Sequence, residues 1–188
     1  MSVNAFSPVS RSRRVAGAAL RQQQGGFTLV EVLVSSLVLG IGLVGVAGLQ
    51  ALSLKNNQSA FMRSQATAMA YDLADRMRSN VPGANGGFYR PADAARNAAC
   101  VTTTGCTPAQ IAQHDLAEWN EAVADYLPLG EGFVCVDSTP DDGTSAANPE
   151  CDGAGTEYSI KIWWDDDRDG QISVAADNME RFSAIVQL

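Results

Sequence analysis

Histidine is almost missing from this chain: His114 is the single imidazole in 188 residues. A Ser-His-Asp set would have to recruit distant residues around it, and no nucleophile elbow accompanies it. The four cysteines, Cys100, Cys106, Cys135 and Cys151, are separated by 5, 28 and 15 residues and contain no C-x-x-C element, which argues against a zinc site. Positive charge is scarce as well. Four of the 13 basic residues, Arg11, Arg13, Arg14 and Arg21, lie before Phe27, so nine basic residues face 21 acidic ones from Phe27 onward, a net of −12. Such a domain repels phosphate backbones, and a nucleic-acid partner is not expected. No internal repeat is present. The last absence is the most telling, because Val32 to Leu54 runs for 23 residues without one charged side chain.

A run of that length spans a bilayer as a helix. The arginines before it stay on the cytoplasmic side, so everything after Leu54 faces the other. The glycines Gly40, Gly42 and Gly45 match G-x-G-x-x-G by letter, but a dinucleotide fingerprint needs a preceding strand and a soluble helix, and here the letters lie inside the apolar run. With Gly48 they suit close helix packing instead. Beyond Leu54 the pattern turns amphipathic. Met62, Ala66, Met69, Leu73 and Met77 recur at helical spacing, and Asn80, Pro82 and Gly83 stop the helix. Residues 82–106 read as a loop. Thr107, Pro108 and Gln110 open a second helix to Leu127 with a capping box, and Leu116, Trp119, Val123 and Leu127 mark its buried face. His114 is expected on the surface of that helix.

Strands are expected at Gly132–Val136, Glu157–Trp164 and Arg181–Leu188, the last two alternating as half-buried antiparallel strands do. Asp137–Gly155 is a long polar loop. An even cysteine count in an exported domain reads as two disulfides with three possible pairings; local closure favours Cys100–Cys106 and Cys135–Cys151. Asp165-Asp166-Asp167-Arg168-Asp169-Gly170 matches the opening of a calcium loop, with Asp165, Asp167 and Asp169 as ligands. It then departs from the pattern, since the bidentate Glu position falls on Ala176 and Asp177 comes one residue late. An acidic connection based on Trp163 or Trp164 is the competing reading, and no metal is assigned.

The junction before the apolar run carries the family signal. An ordinary secretory signal is cut after its hydrophobic segment; here the processing signature Gly26-Phe27 precedes it. The stretch Gly26-Phe27-Thr28-Leu29-Val30-Glu31-Val32-Leu33-Val34 resembles the N-terminal methylation motif of type IV pilins and type II secretion pseudopilins. Ile41 to Gln50, followed by Leu73-Ala74-Asp75-Arg76-Met77-Arg78-Ser79-Asn80, looks like PilV-type minor pilins. The resemblance implies cleavage between Gly26 and Phe27 by a prepilin peptidase, methylation of the Phe27 amine, and a role for Glu31 in assembly. It implies an α+β, pilin-like fold, in which a long N-terminal helix with a membrane-spanning first half packs on a small antiparallel sheet with disulfides. The expected division is a cleaved leader (1–26), a membrane and assembly half of the helix (27–54), an amphipathic half (55–81) and a periplasmic head (82–188). The function implied is structural, without enzymatic activity or cofactor: a minor pilin that initiates or modifies type IV pilus assembly near the tip. Its partners would be other minor pilins, the major pilin, the assembly platform and a tip adhesin, and it would reside in the inner membrane before entering the pilus. The alternatives are a type II secretion pseudopilin and, in another class, a calcium-dependent adhesive head. Cleavage near Ala47 to Ala51, releasing a soluble domain, is a further processing alternative.

Overall fold

The computed structural model describes residues 26–172 and 181–188. The leader's arginines and the positions Ser173, Ala176 and Asp177 of the calcium pattern lie outside the described residues. The chain divides into two units, Met1–Ala47 and Gly48–Leu188. Helix α1, Leu29–Ser79, contributes to both. It is followed by the short α2, Val81–Asn85, two 3-10 turns at Pro91–Asp93 and Ala98–Val101, and α3, Pro108–Tyr126. Strands β1 (Glu131–Val136), β2 (Tyr158–Trp163) and β3 (Arg181–Val186) form one antiparallel sheet in the order β1-β2-β3. A long helix, a three-stranded sheet and two disulfides make this an α+β fold of pilin type.

The second unit holds the core. From α1 it takes Met62, Ala66, Met69, Ala70, Leu73, Ala74 and Met77, the residues of the helical stripe and two small ones between them. Helix α3 adds Ala112, Leu116, Trp119 and Val123, and the sheet adds Val134, Ile160, Ile162 and Val186. Each large apolar side chain removed from water here contributes about 1.5–3 kcal/mol before conformational entropy is counted. The helix starts are well made. Thr107 caps α3 through Gln110, with both arms of the capping box in place and Pro108 in the first turn.

Several expectations from the sequence need correction. Residues 82–106 are not a featureless loop. Asn80 caps α2 by accepting from Gly83 N–H, and the two 3-10 turns follow. Strand β2 is not half-buried: as the middle strand it is covered on both faces, Ile160 and Ile162 entering the core with residues of α1 and α3 on one and the loop 137–155 lying on the other. That loop is anchored along its length. Lys161 Nζ donates to Pro149 O at 2.8 Å, Trp163 Nε1 donates to Gly143 O at 3.4 Å, and Arg181 donates to the carbonyls of Gly143 and Asp141. Glu131 accepts from Ala146 N–H at 2.9 Å, and Cys135–Cys151 closes the base. What reads as a solvated loop is a lid with a polar underside.

Candidate assembly site

Thr28 precedes the first turn of α1 and acts as its cap, its hydroxyl accepting from Glu31 N–H at 3.3 Å and its carbonyl from Val32 N–H at 3.2 Å. The Thr-x-x-Glu spacing is the sequence signature of such a start and was available from the primary structure alone. It puts the Glu31 carboxylate in the first turn, where the helix dipole favours negative charge. Among the described residues no cationic side chain pairs with it. Phe27 and Glu31 line one shallow hollow on the helix flank with Val32, Ser35, Ser36 and Leu39. Ser35 and Ser36 turn their hydroxyls back to the carbonyls of Glu31 and Leu33, so neither adds a free polar group to the surface.

The described part of the first unit, from Gly26 on, is apolar and bare. Its large side chains range from 51% exposed at Val46 to 81% at Phe27. No solvated monomer carries a surface of this kind without a use for it: exposed apolar area on this scale marks contact with lipid or with partner helices. The glycines Gly40, Gly42 and Gly45 have open space where a Cβ would stand, which lets another helix approach the backbone closely.

The second unit explains much of the stretch from Leu73 to Asn80. Leu73, Ala74 and Met77 are core, and Arg76 and Asn80 are polar fasteners. The Arg76 guanidinium reaches Asp72 at 2.9 Å on its own helix and Glu118 at 3.0 Å and Asp115 at 3.4 Å on α3. The Arg76 hydrogen bond holds Glu118 below the usual carboxylate range. Tyr89 donates its hydroxyl to Asp115 Oδ2 at 2.9 Å, and burial, then the same Asp115, pushes its phenol well above the ordinary value. Asn80 Nδ2 donates to Pro108 O at 2.8 Å, fixing the start of α3 to the end of α1. Apart from Asp72 these partners are distant in sequence, and only Asn80 declares itself locally, as a stop signal.

His114 is a correction. It is buried, not a surface residue: Nδ1 accepts from Asn97 N–H at 3.0 Å while Nε2 faces Glu118 Oε1 at 3.4 Å. An acceptor at Nδ1 places the ring proton on Nε2. The imidazole therefore holds the segment leading into the Cys100–Cys106 loop.

The cysteines are joined as Cys100–Cys106 and Cys135–Cys151. Asp165, Asp167 and Asp169 bring one carboxylate oxygen each within 4.8 Å of one another, and Asp165 is only 3% exposed. Both oxygens of Asp165 and one each of Asp167 and Asp169 accept from the loop's own amides: Asp165 from Gly170 and Asp169 N–H, Asp167 from Asp169 N–H, and Asp169 from Gln171 N–H. Gly170, at φ 88°, permits the turn. The cluster forms a self-bonded turn that follows the buried Trp163 and Trp164.

A bare apolar helix with a carboxylate in its first turn, leading into a disulfide-bonded α+β unit, defines a subunit built to be anchored in a membrane and to pack with other helices. Comparison with known families agrees. The family model for the type IV pilin Tt1218 matches residues 48–117, and the model of the prokaryotic N-terminal methylation motif matches residues 21–47. No curated protein and no solved structure matches the chain. The chain belongs to the type IV pilin superfamily, and it is a pilin-type structural subunit.

Proposed function

We propose that this pilin is a minor subunit of a type IV pilus, of the PilV type, which helps to initiate or modify assembly near the tip. A prepilin peptidase removes the leader at Gly26–Phe27 and methylates the new amine. Before assembly the apolar helix is solvated by lipid, with the second unit in the periplasm. On assembly, lipid is exchanged for the helices of other minor pilins and the major pilin through contacts that repeat along the stack. The observation that carries the reading is Glu31, a carboxylate on an otherwise apolar and exposed helix without a cationic partner among the described residues. An unpaired charge of this kind costs about 2.5–3.5 kcal/mol on membrane-insertion scales. The Phe27 amine of a neighbouring subunit offsets that cost.

The test is Glu31→Ala in the full chain, expressed in its own cells. Processing at Gly26–Phe27 is expected to proceed, read as an N-terminus at methylated Phe27, while recovery in sheared filaments falls. If pairing offsets about 2.5 kcal/mol, the partition changes by roughly 70-fold. Filaments that incorporate the variant as well as the parent would refute the pairing. Co-purification with secretion-system subunits instead of pilus subunits would establish the pseudopilin alternative.

A further inference from the structure

Lys161 stands in the middle of β2, opposite Phe133 and Ser183, on the face covered by the lid. Its side chain is wholly buried, and so is that of Asp137. Nζ lies 2.5 Å from Asp137 Oδ2 and 2.5 Å from Asp142 Oδ1. It also donates to Pro149 O at 2.8 Å and to Asp142 O at 3.4 Å. The contact with Asp137 Oδ2 is not aligned as a hydrogen bond, and this oxygen has no other partner. The second oxygen is held quite differently. Asp137 Oδ1 accepts from Thr139 N–H at 3.2 Å, Asp152 N–H at 3.4 Å and the Thr139 hydroxyl at 3.4 Å. Trp163 and Ser159, neighbours of Lys161 on this face of β2, are buried and keep water away.

A buried ammonium beside two carboxylates is a costly ion cluster. A nitrogen pressed on a carboxyl group out of water also has a covalent alternative. We propose that Lys161 and Asp137 join in an intramolecular isopeptide bond, with Asp142 as the proton carrier. The parts are those of an acyl-transfer site: a nucleophile, an electrophile, two backbone N–H donors for the developing oxyanion, and an acid–base group. Nζ gives a proton to Asp142, which passes it to Oδ2 of Asp137. The free amine then attacks the carboxyl carbon, forming the N–C bond and placing charge on Oδ1, where the amides of Thr139 and Asp152 receive it. Asp142 takes a second proton from the nitrogen and delivers it to Oδ2, which leaves as water when the C–O bond breaks. Of the three protons on the ammonium, one stays on the amide and two depart in the water. Asp142 ends as it began, and the net charge of the cluster is unchanged. No oxidant or co-reactant is needed. The fixed geometry replaces the activation that amide formation requires in solution.

Intact mass of the full-length mature protein, purified from its membranes and measured reduced and denatured, tests this directly. The expected mass is that of the chain from its observed N-terminus, with the methyl group where Phe27 carries it, less one water. Trypsin is expected to leave the bond after Lys161 uncut and to yield a branched peptide joining it to the Asp137 segment. Asp142→Asn, which keeps the shape and removes the carrier, is expected to restore full mass to most of the chains. A wild-type chain at full mass, cut by trypsin after Lys161, overturns the proposal and leaves a buried ion pair. A succinimide at Asp142-Gly143, Asp152-Gly153 or Asp169-Gly170 loses the same water; mass loss that reverses in mild base and gives no branched peptide overturns it equally.

Discussion

Gly132 in β1 faces Trp119 of α3 so closely that the Gly132→Ala substitution provides a sharp test of the core. A methyl group there would lie 2.4 Å from both Cη2 and Cζ3 of the indole and 3.3 Å from Cε3. Carbon atoms pack at about 3.5–4.0 Å, so the ring or the strand must give by roughly 1 Å. Neither gives easily. Trp119 is buried and its Nε1 donates to Met69 O at 3.0 Å, while Gly132 is held in register with Ile162 of β2. Overpacking of this kind costs about 1–3 kcal/mol. In a chain of this size that lowers the melting temperature by roughly 2–12 °C. The assay is thermal unfolding of the full chain in detergent, followed by near-ultraviolet circular dichroism. Trp119→Phe removes the indole atoms that would clash, so in that background Gly132→Ala is expected to be close to neutral. The two changes should couple by about 0.5–3 kcal/mol. A single variant as stable as the parent, or strict additivity in the pair, would refute this account of how α3 sits on the sheet.

Asn80→Ala removes the α2 cap and the bond to Pro108 O together, and denaturant unfolding is expected to show a loss of about 1–3 kcal/mol. Unchanged stability would mean that water replaces both contacts. The Asp152 carboxyl is held down at about 2 by the Ser138 hydroxyl, then by the N–H groups of Ala154 and Ser138. Because its folded value lies below the ordinary 3.8, its contribution is present above the unfolded range and is lost as pH falls from there towards about 2. Acid titration of unfolding is therefore expected to show a shallower acid limb in Asp152→Asn than in the parent; identical limbs would exclude Asp152 as a contributor.

What was legible in the sequence is what short-range physics writes there. The Met62-to-Met77 stripe, the Thr107–Gln110 capping box and the uncharged run after Glu31 each declare themselves within a few residues: the stripe is buried, the box is formed and the run is helical. The Thr28–Glu31 cap belongs to the same class. Lys161 is different. An alternating strand puts it on the outward face, and nothing local tells that a loop folds back to cover that face. Its burial depends on strand order and on the lid, both set by contacts remote in sequence. His114 and Arg76 escaped for the same reason, since their partners Asn97, Asp115 and Glu118 are supplied by other elements or by a helix whose facing was unknown. The acidic run at Asp165 has a spacing that suits a cation, and the structure adds what the spacing does not tell, that several of its oxygens accept from the turn's own amides.

The lid is gripped by its main chain. Lys161, Trp163 and Arg181 reach carbonyl oxygens of Asp141, Asp142, Gly143 and Pro149. A carbonyl is the same whatever residue bears it. Side chains on the outward side of the lid take no part in these carbonyl contacts, whereas Lys161, Trp163 and Arg181 cannot be exchanged without breaking them.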